Sequence, residues 1–341
     1  MYKIANASRG VVQGLLLASL QFTTLVPAAS DNPVSNPTVF RGMCDASAAV
    51  ALGDDLFAVA NDEDNTIRVY HSAQGGGPVA SFDLSTFLRV DAKFPETDLE
   101  GAAWLGDRIF WMASHGRNHD GKFRASRDRF FATTLEKTGN SVRLVPVGKP
   151  YTSLLVDLIR DPRLKAFKLG AASMLPPKHR GALNIEGLCA TPDKHLLIGF
   201  RNPIPRGRAL IVPLLNPNEV VTGSAAQLGE PMLLNLGGQG IRDIGFWHGK
   251  YLIIGGSYEA EGVSQVYLWN GGSSQPQLLR GIDLHDINPE AVVVYPDNPL
   301  SFQLLSDDGT QLMNGIPCKR LPNSMDKQFR GVWVTPPSGG R

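Results

Sequence analysis

A repeated strand–turn–strand pattern constrains this chain more than any other feature of its sequence. The clearest copy spans residues 98–114, where carboxylates open an apolar strand and a Gly-Asp turn leads into a second one. It aligns without a gap on residues 45–61 and on residues 243–257, and with short gaps on residues 184–201 and 288–306. A period of about 45–60 residues built from short strands is typical of a β-propeller.

The repeat predicts an all-β fold, a β-propeller with five blades of four strands. The last blade lacks one strand, and residues 38–41 form a spare strand near the other end of the chain. Because a propeller must close its ring, we expect this N-terminal strand to complete the last blade. Residues 152–160 have helical spacing and are stopped by an Asp-Pro pair, which predicts one helical insertion. A sixth, degenerate blade in that interval is the alternative.

The N-terminal residues differ from the rest of the chain. Two basic residues precede an apolar stretch that ends in small residues, which is the order of a secretory signal peptide. We therefore divide the chain into a signal peptide (1–29), a linker (30–37) and a single propeller domain (38–341). A secreted or periplasmic protein follows from this division.

Composition excludes several classes of partner. The formal net charge is +1 and no basic block occurs, so we expect no nucleic-acid partner. No run approaches the roughly 20 apolar residues of a membrane helix, so no stable membrane insertion is expected. The prediction is a monomer with a small-molecule ligand, and the sequence identifies no protein partner.

The three cysteines are too few and too scattered for a disulfide framework or a CxxC metal site. Cys189 lies within an apolar strand and is interpreted as a buried small hydrophobic residue. A single disulfide involving Cys318 stays open, with its partner undecided.

Oxygen-bearing side chains recur where each repeat begins. The first strand of a propeller blade lines the central channel, so residues that open these strands should gather at one end of it. The aligned column contains Ser47, Glu100, Glu186, Asp243 and Glu290. Oxygen ligands from several strands suit Ca²⁺ or Mg²⁺. The sequence therefore predicts a divalent-cation site on Glu100, Glu186, Asp243 and Glu290.

Further polar residues should surround the same channel mouth. Two positions before the column, and at the ends of the second strands, the candidates are Asp45, Asp98, Asn184, Asn288, Ser114 and Ser257. Arg117, Arg201 and Arg242 fall near this end as well. They are predicted to bind an anionic substrate, and the alternative is that they form purely structural Arg–carboxylate pairs between blades.

Two loops carry weaker signals. His115 is the candidate general acid or base by residue type. His115 and His119 have the spacing of a zinc-binding helix, but Gly116 and Asn118 disfavour a helix there. Residues 62–64 have the carboxylates of a calcium loop without its glycine and closing glutamate, so a solvated turn is the interpretation.

The chain resembles the bacterial secreted proteins of domain-of-unknown-function family 3616. The similarity rests on residues 41–47, 98–102, 114–118, 184–188 and 201–203, and it extends over nearly all of the mature chain. No established activity accompanies that family, so the resemblance implies a propeller fold and leaves the chemistry open.

The repeated Glu-Gly strand openings are more distantly similar to those of phytase-like and gluconolactonase-like propellers. In the latter, a channel glutamate from such a strand helps to bind a divalent metal. This resemblance implies Glu100 and Glu186 as metal ligands. The chain departs from the pattern where it has Asp243-Ile244, Glu290-Ala291 and Ser47.

Two functions of different classes follow. The first is a divalent-metal-dependent hydrolase of a small anionic ester, phosphate ester or lactone at the channel mouth. The second is a non-catalytic propeller that binds a ligand or a protein. The sequence contains no GxSxG, Walker A or HExxH motif and no GxGxxG behind a strand, which disfavours the enzyme classes that depend on them.

Overall fold

Short strands joined by glycine-containing turns build five antiparallel sheets of four strands each in the part of the chain that the structure describes. The structure is a computed structural model, and it describes Met1 and residues 33–53, 55–139, 141–259, 262–284 and 286–337. Apart from Met1, the predicted signal peptide lies outside the described residues. The chain divides into two units, Met1–Asp31 and Asn32–Arg341, and the second contains all the strands.

Each sheet is one blade, and the strands follow the chain from blade to blade. The first strand, β1 (Thr38–Arg41), belongs to blade 5. Blade 1 holds β2 (Ala48–Gly53), β3 (Leu56–Ala60), β4 (Thr66–His71) and β5 (Ala80–Asp83). Blade 2 holds β6 (Leu99–Leu105), β7 (Arg108–Ala113), β8 (Phe130–Thr138) and β9 (Ser141–Tyr151). Blade 3 holds β10 (Asn184–Ala190), β11 (Leu196–Asn202), β12 (Ala209–Leu214) and β13 (Met232–Leu234).

The remaining strands complete the ring and add a short hairpin. Blade 4 holds β14 (Gly240–Trp247), β15 (Lys250–Gly256), β16 (Gln265–Trp269) and β17 (Gln277–Leu278). Blade 5 combines β1 with β18 (Pro289–Val293), β19 (Phe302–Ser306) and β22 (Gln328–Val334). The hairpin that precedes β22 consists of β20 (Leu312–Met313) and β21 (Ile316–Pro317).

Helical segments are short and lie between strands. The α-helices are α1 (Ser85–Leu88), α2 (Leu154–Arg160), α3 (Leu169–Ala172) and α4 (Pro217–Val220). The 3₁₀ turns are Ala125–Arg127, Pro162–Phe167, Pro205–Gly207, Cys318–Arg320 and Ser324–Asp326. The predicted helical insertion is confirmed as α2, the 3₁₀ turn after it and α3. Leu154 and Leu158 of α2 pack into the core shared by blades 2 and 3. None of the helices among the described residues is long and apolar enough to span a membrane.

The ring closes through both ends of the propeller, as predicted. In blade 5, β1 pairs antiparallel with β22, from Thr38 opposite Gly331 to Arg41 opposite Gln328. A disulfide joins Cys44 to Cys318 just beyond this pairing, which settles the partner of Cys318, and Cys189 is buried and free. The alternative of six blades is wrong, because blades 2 and 3 are separated by the helical insertion instead of by another sheet.

The first strands β2, β6, β10, β14 and β18 form the inner ring, in which each contacts the next and β18 contacts β2. Glycines keep these strands close. A Cβ atom on Gly101 would lie 2.9 Å from the Cβ of Leu188, and one on Gly187 would lie 2.8 Å from Cγ2 of Ile241. The glycine of each Glu-Gly pair is therefore required for packing between blades. The glutamate is then the residue of the pair whose side chain can bind a ligand or take part in a reaction.

Candidate functional site

Four blades carry a β-bulge where their first strand begins. In blade 2, Leu99 pairs with Ala113 and Gly101 with Met112, so Glu100 is the extra residue between two ladder positions. The same irregularity occurs in blades 3, 4 and 5, where the residues at the bulge are Glu186, Arg242 and Glu290. A bulge re-aims one side chain away from the regular alternation of a strand.

The bulges bring three glutamates together in the channel. One carboxylate oxygen from each of Glu100, Glu186 and Glu290 lies within 4.8 Å of those of the other two. All three side chains are buried, and Glu186 is 0% exposed. We call this group the glutamate cluster. A search of the described residues for three or more carboxylates, histidines or cysteines close enough to share a metal ion finds this cluster.

Two arginines neutralise part of the cluster. Nη1 of Arg201 donates to Oε1 of Glu186 at 2.7 Å, and Nδ2 of Asn184 donates to the same oxygen at 2.6 Å. Arg242 hydrogen-bonds Glu290 through Nη2, and its Nε lies 3.8 Å from Oε2 of Glu186. Arg201 and Arg242 thus form the Arg–carboxylate pairs that the sequence offered as an alternative to a ligand site.

The pairing leaves two buried oxygens without a donor. Oε2 of Glu100 and Oε2 of Glu186 have no hydrogen-bond partner among the described residues. Burial, together with the charge of Glu186, raises the pKa of Glu100 well above its usual range. Burial disfavours the charged form of a carboxyl group, and the positive charge of Arg201 opposes this shift only in part.

Asp243 does not join the cluster. Its Oδ1 accepts from the backbone N–H of Ile244 and its Oδ2 from that of Val292, both at 2.8 Å, so it ties blade 4 to blade 5. The gapless alignment is off by one residue here, because Arg242 and not Asp243 occupies the bulge. A shift of one residue moves a strand side chain to the other face of the sheet.

Asp98 lies beside the cluster in a second ion pair. Nη1 of Arg127 donates to its Oδ2 at 2.7 Å, and Arg127 also hydrogen-bonds Glu96. Burial raises the pKa of Asp98 to about 6, although Arg127 and a hydrogen bond from Ser114 oppose the shift. Arg127 was not among the predicted residues, because it follows a polar loop that has no counterpart in the other repeats.

A pair of carboxyl groups faces the mouth from blades 1 and 5. Asp45 and Asp307 form an isolated bridge, and their side chains hydrogen-bond each other. Burial raises the pKa of Asp45 to about 11, so this pair shares one proton. Asp62 lies in a bend and is half-buried, and burial raises its pKa. Its Oδ1 is shielded and has no hydrogen-bond partner among the described residues, so the predicted solvated turn is only partly solvated at this residue. The hydroxyl of Ser47 is buried as well and has no hydrogen-bond partner in the part of the chain that the structure describes.

The remaining mouth residues are used structurally. Ser257 accepts from Nε of Arg201 through its carbonyl oxygen at 2.8 Å. Asn288 accepts from Nη1 of Arg242 at 3.1 Å. Arg117 donates to the carbonyl oxygens of Ser173 and Gly121, at 2.9 and 3.1 Å. Its guanidinium therefore binds the helical insertion and its own loop, apart from the glutamate cluster.

His115 is buried on the blade 2 side, with a left-handed backbone (φ 55°). Its Nδ1 lies 2.7 Å from the carbonyl oxygen of Ala113, and its Nε2 has no partner among the described residues. Burial and the charge of Arg129 lower its pKa to about 4, so the ring is neutral at pH 7. His119 is exposed and contacts Asp120, in keeping with the disfavoured zinc pair.

Solved propeller enzymes resemble the chain in structure at low sequence identity. Glutaminyl cyclase from Myxococcus xanthus matches with 10% identity and a TM-score of 0.47, over 89% of this chain and 96% of the enzyme. The PQQ-bound aldose sugar dehydrogenase from Streptomyces coelicolor matches with 11% identity and a TM-score of 0.42, over 88% and 98%. A putative glucose dehydrogenase from Thermus thermophilus matches with 14% identity and a TM-score of 0.43, over 88% and 100%.

None of these TM-scores reaches 0.5, so the chemistry of the site has to come from its own residues. No curated protein matches the sequence. The family model described as "Protein of unknown function (DUF3616)" matches residues 132–284, a range that contains all strands of blades 3 and 4. Over that range, the resemblance to domain-of-unknown-function family 3616 is confirmed.

Proposed function

We propose that the channel mouth binds a divalent cation, Ca²⁺ or Mg²⁺, on Glu100, Glu186 and Glu290, and that the protein hydrolyses a small anionic ester, phosphate ester or lactone there. One observation carries the proposal. Three buried carboxylates from three blades converge within 4.8 Å, and two of their oxygens lack any donor among the described residues. Buried polar atoms are almost always paired, so these oxygens fit the ligands of a hard cation.

The charge of the site supports the same conclusion. Three carboxylates and the guanidinium groups of Arg201 and Arg242 leave one uncompensated negative charge, which is carried by Glu100 when it ionises. A divalent cation would turn this into a net charge of one positive unit. A positive centre at the channel mouth would attract an anionic substrate.

The chain's own residues would hold and orient the centre. Arg201 and Asn184 fix Glu186, and Arg242 fixes Glu290, so that these ligands are pre-organised. All three nitrogens of the Arg201 guanidinium already donate, to Glu186 and to the carbonyl oxygens of Ser257 and Glu259. Its role is therefore to position a ligand instead of gripping substrate. A divalent cation, when bound, supplies Lewis-acid polarisation and lowers the pKa of a water molecule.

The first experiment is calorimetric titration of Ca²⁺ and Mg²⁺ into protein stripped with a chelating resin. We expect stoichiometric binding of one ion to the wild type and at least a hundredfold loss of affinity in Glu100→Gln. This variant removes an oxygen that makes no hydrogen bond among the described residues, so its fold should persist. Binding should also release protons, because the raised pKa of Glu100 must be overcome.

The matched control is Asp107→Asn. Asp107 lies in the turn at the far end of the same hairpin, and its side chain is 88% exposed. Its loss should leave the affinity unchanged. Hydrolysis of 4-nitrophenyl phosphate and of a γ-lactone is then measured with and without the ion. Equal, weak cation binding in the wild type and Glu100→Gln would overturn the proposal.

A non-catalytic binding propeller is the second candidate, and the Arg201–Glu186 and Arg242–Glu290 pairs favour it. If these pairs are purely structural, cation binding and hydrolysis will both be absent while the protein is fully folded. Circular dichroism of the stripped protein provides that comparison.

We also propose that the protein works outside the cytoplasm. The disulfide between Cys44 and Cys318 supports this location, because disulfides persist in oxidising compartments. Fractionation of producing cells and a free-thiol assay would test it, and a reduced protein confined to the cytoplasm would contradict it.

A further inference from the structure

A cavity of about 540 Å³ lies beside the channel mouth, between the helical insertion and the loop that joins β11 to β12. Its cationic lining residues are Lys168, Arg180 and Arg206. Among the described residues, no aspartate or glutamate lines it. From these features we infer that the cavity binds a small molecule that carries two or more anionic groups, such as phosphates or carboxylates.

The three cations are free to meet a ligand. Lys168, Arg180 and Arg206 are exposed, and none of them forms an ion pair with a carboxylate of the described residues. This contrasts with Arg201 and Arg242, whose guanidinium groups are occupied by glutamates. Three unpaired cations around one concave surface make a positive potential that a polyanion can satisfy.

Two of the three basic residues have an uncommon backbone conformation. Lys168 and Arg206, on opposite walls, both adopt left-handed conformations, with φ of 53° and 54°. Side-chain-bearing residues rarely occupy this region, and glycine would adopt it without steric cost. Lys168 takes this conformation as the residue that ends the 3₁₀ turn Pro162–Phe167.

Size and surroundings fit a small molecule. The volume falls within the range of about 300–1,000 Å³ that is usual for ligand sites. Phe167 and Tyr258 add aromatic surface to the lining, and Asn202 adds a polar group. A ligand with an organic body and several anionic groups matches this lining better than a single inorganic ion does.

Arg201 connects the lining of the cavity to the glutamate cluster. Tyr258 lies between Ser257 and Glu259, whose carbonyl oxygens accept from Arg201 at 2.8 and 3.1 Å, while Arg201 also contacts Glu186. On the other wall, Asn202 donates to the carbonyl oxygens of Pro177 and His179. If the protein is the proposed hydrolase, this cavity would hold the anionic part of its substrate. This link to the substrate rests on the proposed function, whereas the inference of an anion site does not.

The test uses pyrophosphate as the probe. Calorimetry is performed at about 50 mM NaCl on full-length protein freed of divalent ions with a chelating resin. We expect the wild type to bind pyrophosphate and the triple variant Lys168→Gln, Arg180→Gln, Arg206→Gln to lose at least tenfold in affinity. Raising NaCl to about 300 mM should weaken binding to the wild type, because salt screens the attraction.

The control removes three positive charges from the same elements outside the cavity, in Arg160→Gln, Lys165→Gln, Arg208→Gln. Its affinity should stay within threefold of the wild type. An equal loss in both triple variants, or no loss in the first, would overturn the inference. If the wild type binds pyrophosphate but no divalent cation, the hydrolase proposal is rejected and the cavity inference stands.

Discussion

The two ends of the central channel are built from the same five strands and have opposite chemistry. Where the strands begin, the mouth holds the glutamate cluster and its arginines. Where they end, a cavity of about 590 Å³ is lined mainly by apolar side chains, among them Ala49, Trp104 and Leu188. The indole N–H of Trp104 donates a hydrogen bond to the carbonyl oxygen of Ala51 at 2.7 Å.

The comparison of the two ends indicates that the fold does not need buried charge to close its ring. At the apolar end, the same strands pack without ion pairs among the residues that line this cavity. Replacing a buried ion pair by apolar side chains is often neutral or stabilising, because the charges lose their hydration. The ion pairs at the mouth are therefore weak evidence for a role in stability, and the proposed cation would give them another role.

The largest effect that we expect concerns the disulfide at the mouth. Removing it in Cys44→Ser, Cys318→Ser should reduce the free energy of unfolding by about 5 kcal/mol, because it closes a loop with a sequence separation of 274. Urea unfolding measures the loss, and Cys189→Ala, which removes the buried free thiol, is the control. Equal stability of the double variant and the wild type would show that the mouth is held by non-covalent contacts.

The apolar end should respond to a core truncation and the mouth should not. Leu188→Ala should reduce the free energy of unfolding by about 2–4 kcal/mol through loss of buried surface and cavity formation. Its affinity for divalent cations, measured by calorimetry, should stay unchanged. Glu100→Gln should lose affinity for divalent cations without losing stability. A variant that loses both properties would mean that the two ends do not act independently.

Removing a carboxyl group from the mouth should change the pH dependence of stability. A folded-state pKa above the unfolded value contributes stability below the unfolded pKa, and that contribution is lost as pH rises through the folded pKa. The pKa of Glu100 is raised. In stripped protein, Glu100→Gln should therefore gain about 1–3 kcal/mol relative to the wild type between about pH 5 and pH 8.

Urea unfolding at each pH measures this gain, and added Ca²⁺ should abolish it by stabilising the wild type alone. Asp107→Asn provides the baseline for loss of an exposed carboxylate. A constant difference between Glu100→Gln and the wild type across this pH range would indicate that Glu100 ionises normally.

The smallest effect concerns His115, whose folded pKa of about 4 lies below the unfolded value. The neutral ring contributes stability above the unfolded pKa of about 6.5, and this is lost as pH falls. Between pH 7 and pH 6 the wild type should lose about 0.7 kcal/mol more than His115→Gln. If the free energies of unfolding of the two proteins change in parallel between pH 7 and pH 6, the pKa of His115 is not lowered by folding.

The repeat in the sequence predicted the five blades, the borrowed N-terminal strand and the meeting of Glu100, Glu186 and Glu290. These features follow from periodicity, and periodicity is readable in one sequence. Asp243 illustrates what is not readable, since a bulge shifts the register by one residue without altering the apolar pattern. Arg127 comes from a segment that other repeats lack, so no alignment of repeats could reveal its contact with Asp98.

The closure of blade 5 has a consequence for how the chain is made. Strand β1 leaves the ribosome before the other strands of the propeller, whereas its partner β22 follows all of them. Until then, β1 presents unpaired backbone N–H and C=O groups, which can pair with another chain. Blade 5 cannot form before β22 has been made, so closure of the ring waits for that strand. Until then, the chain most needs protection from aggregation.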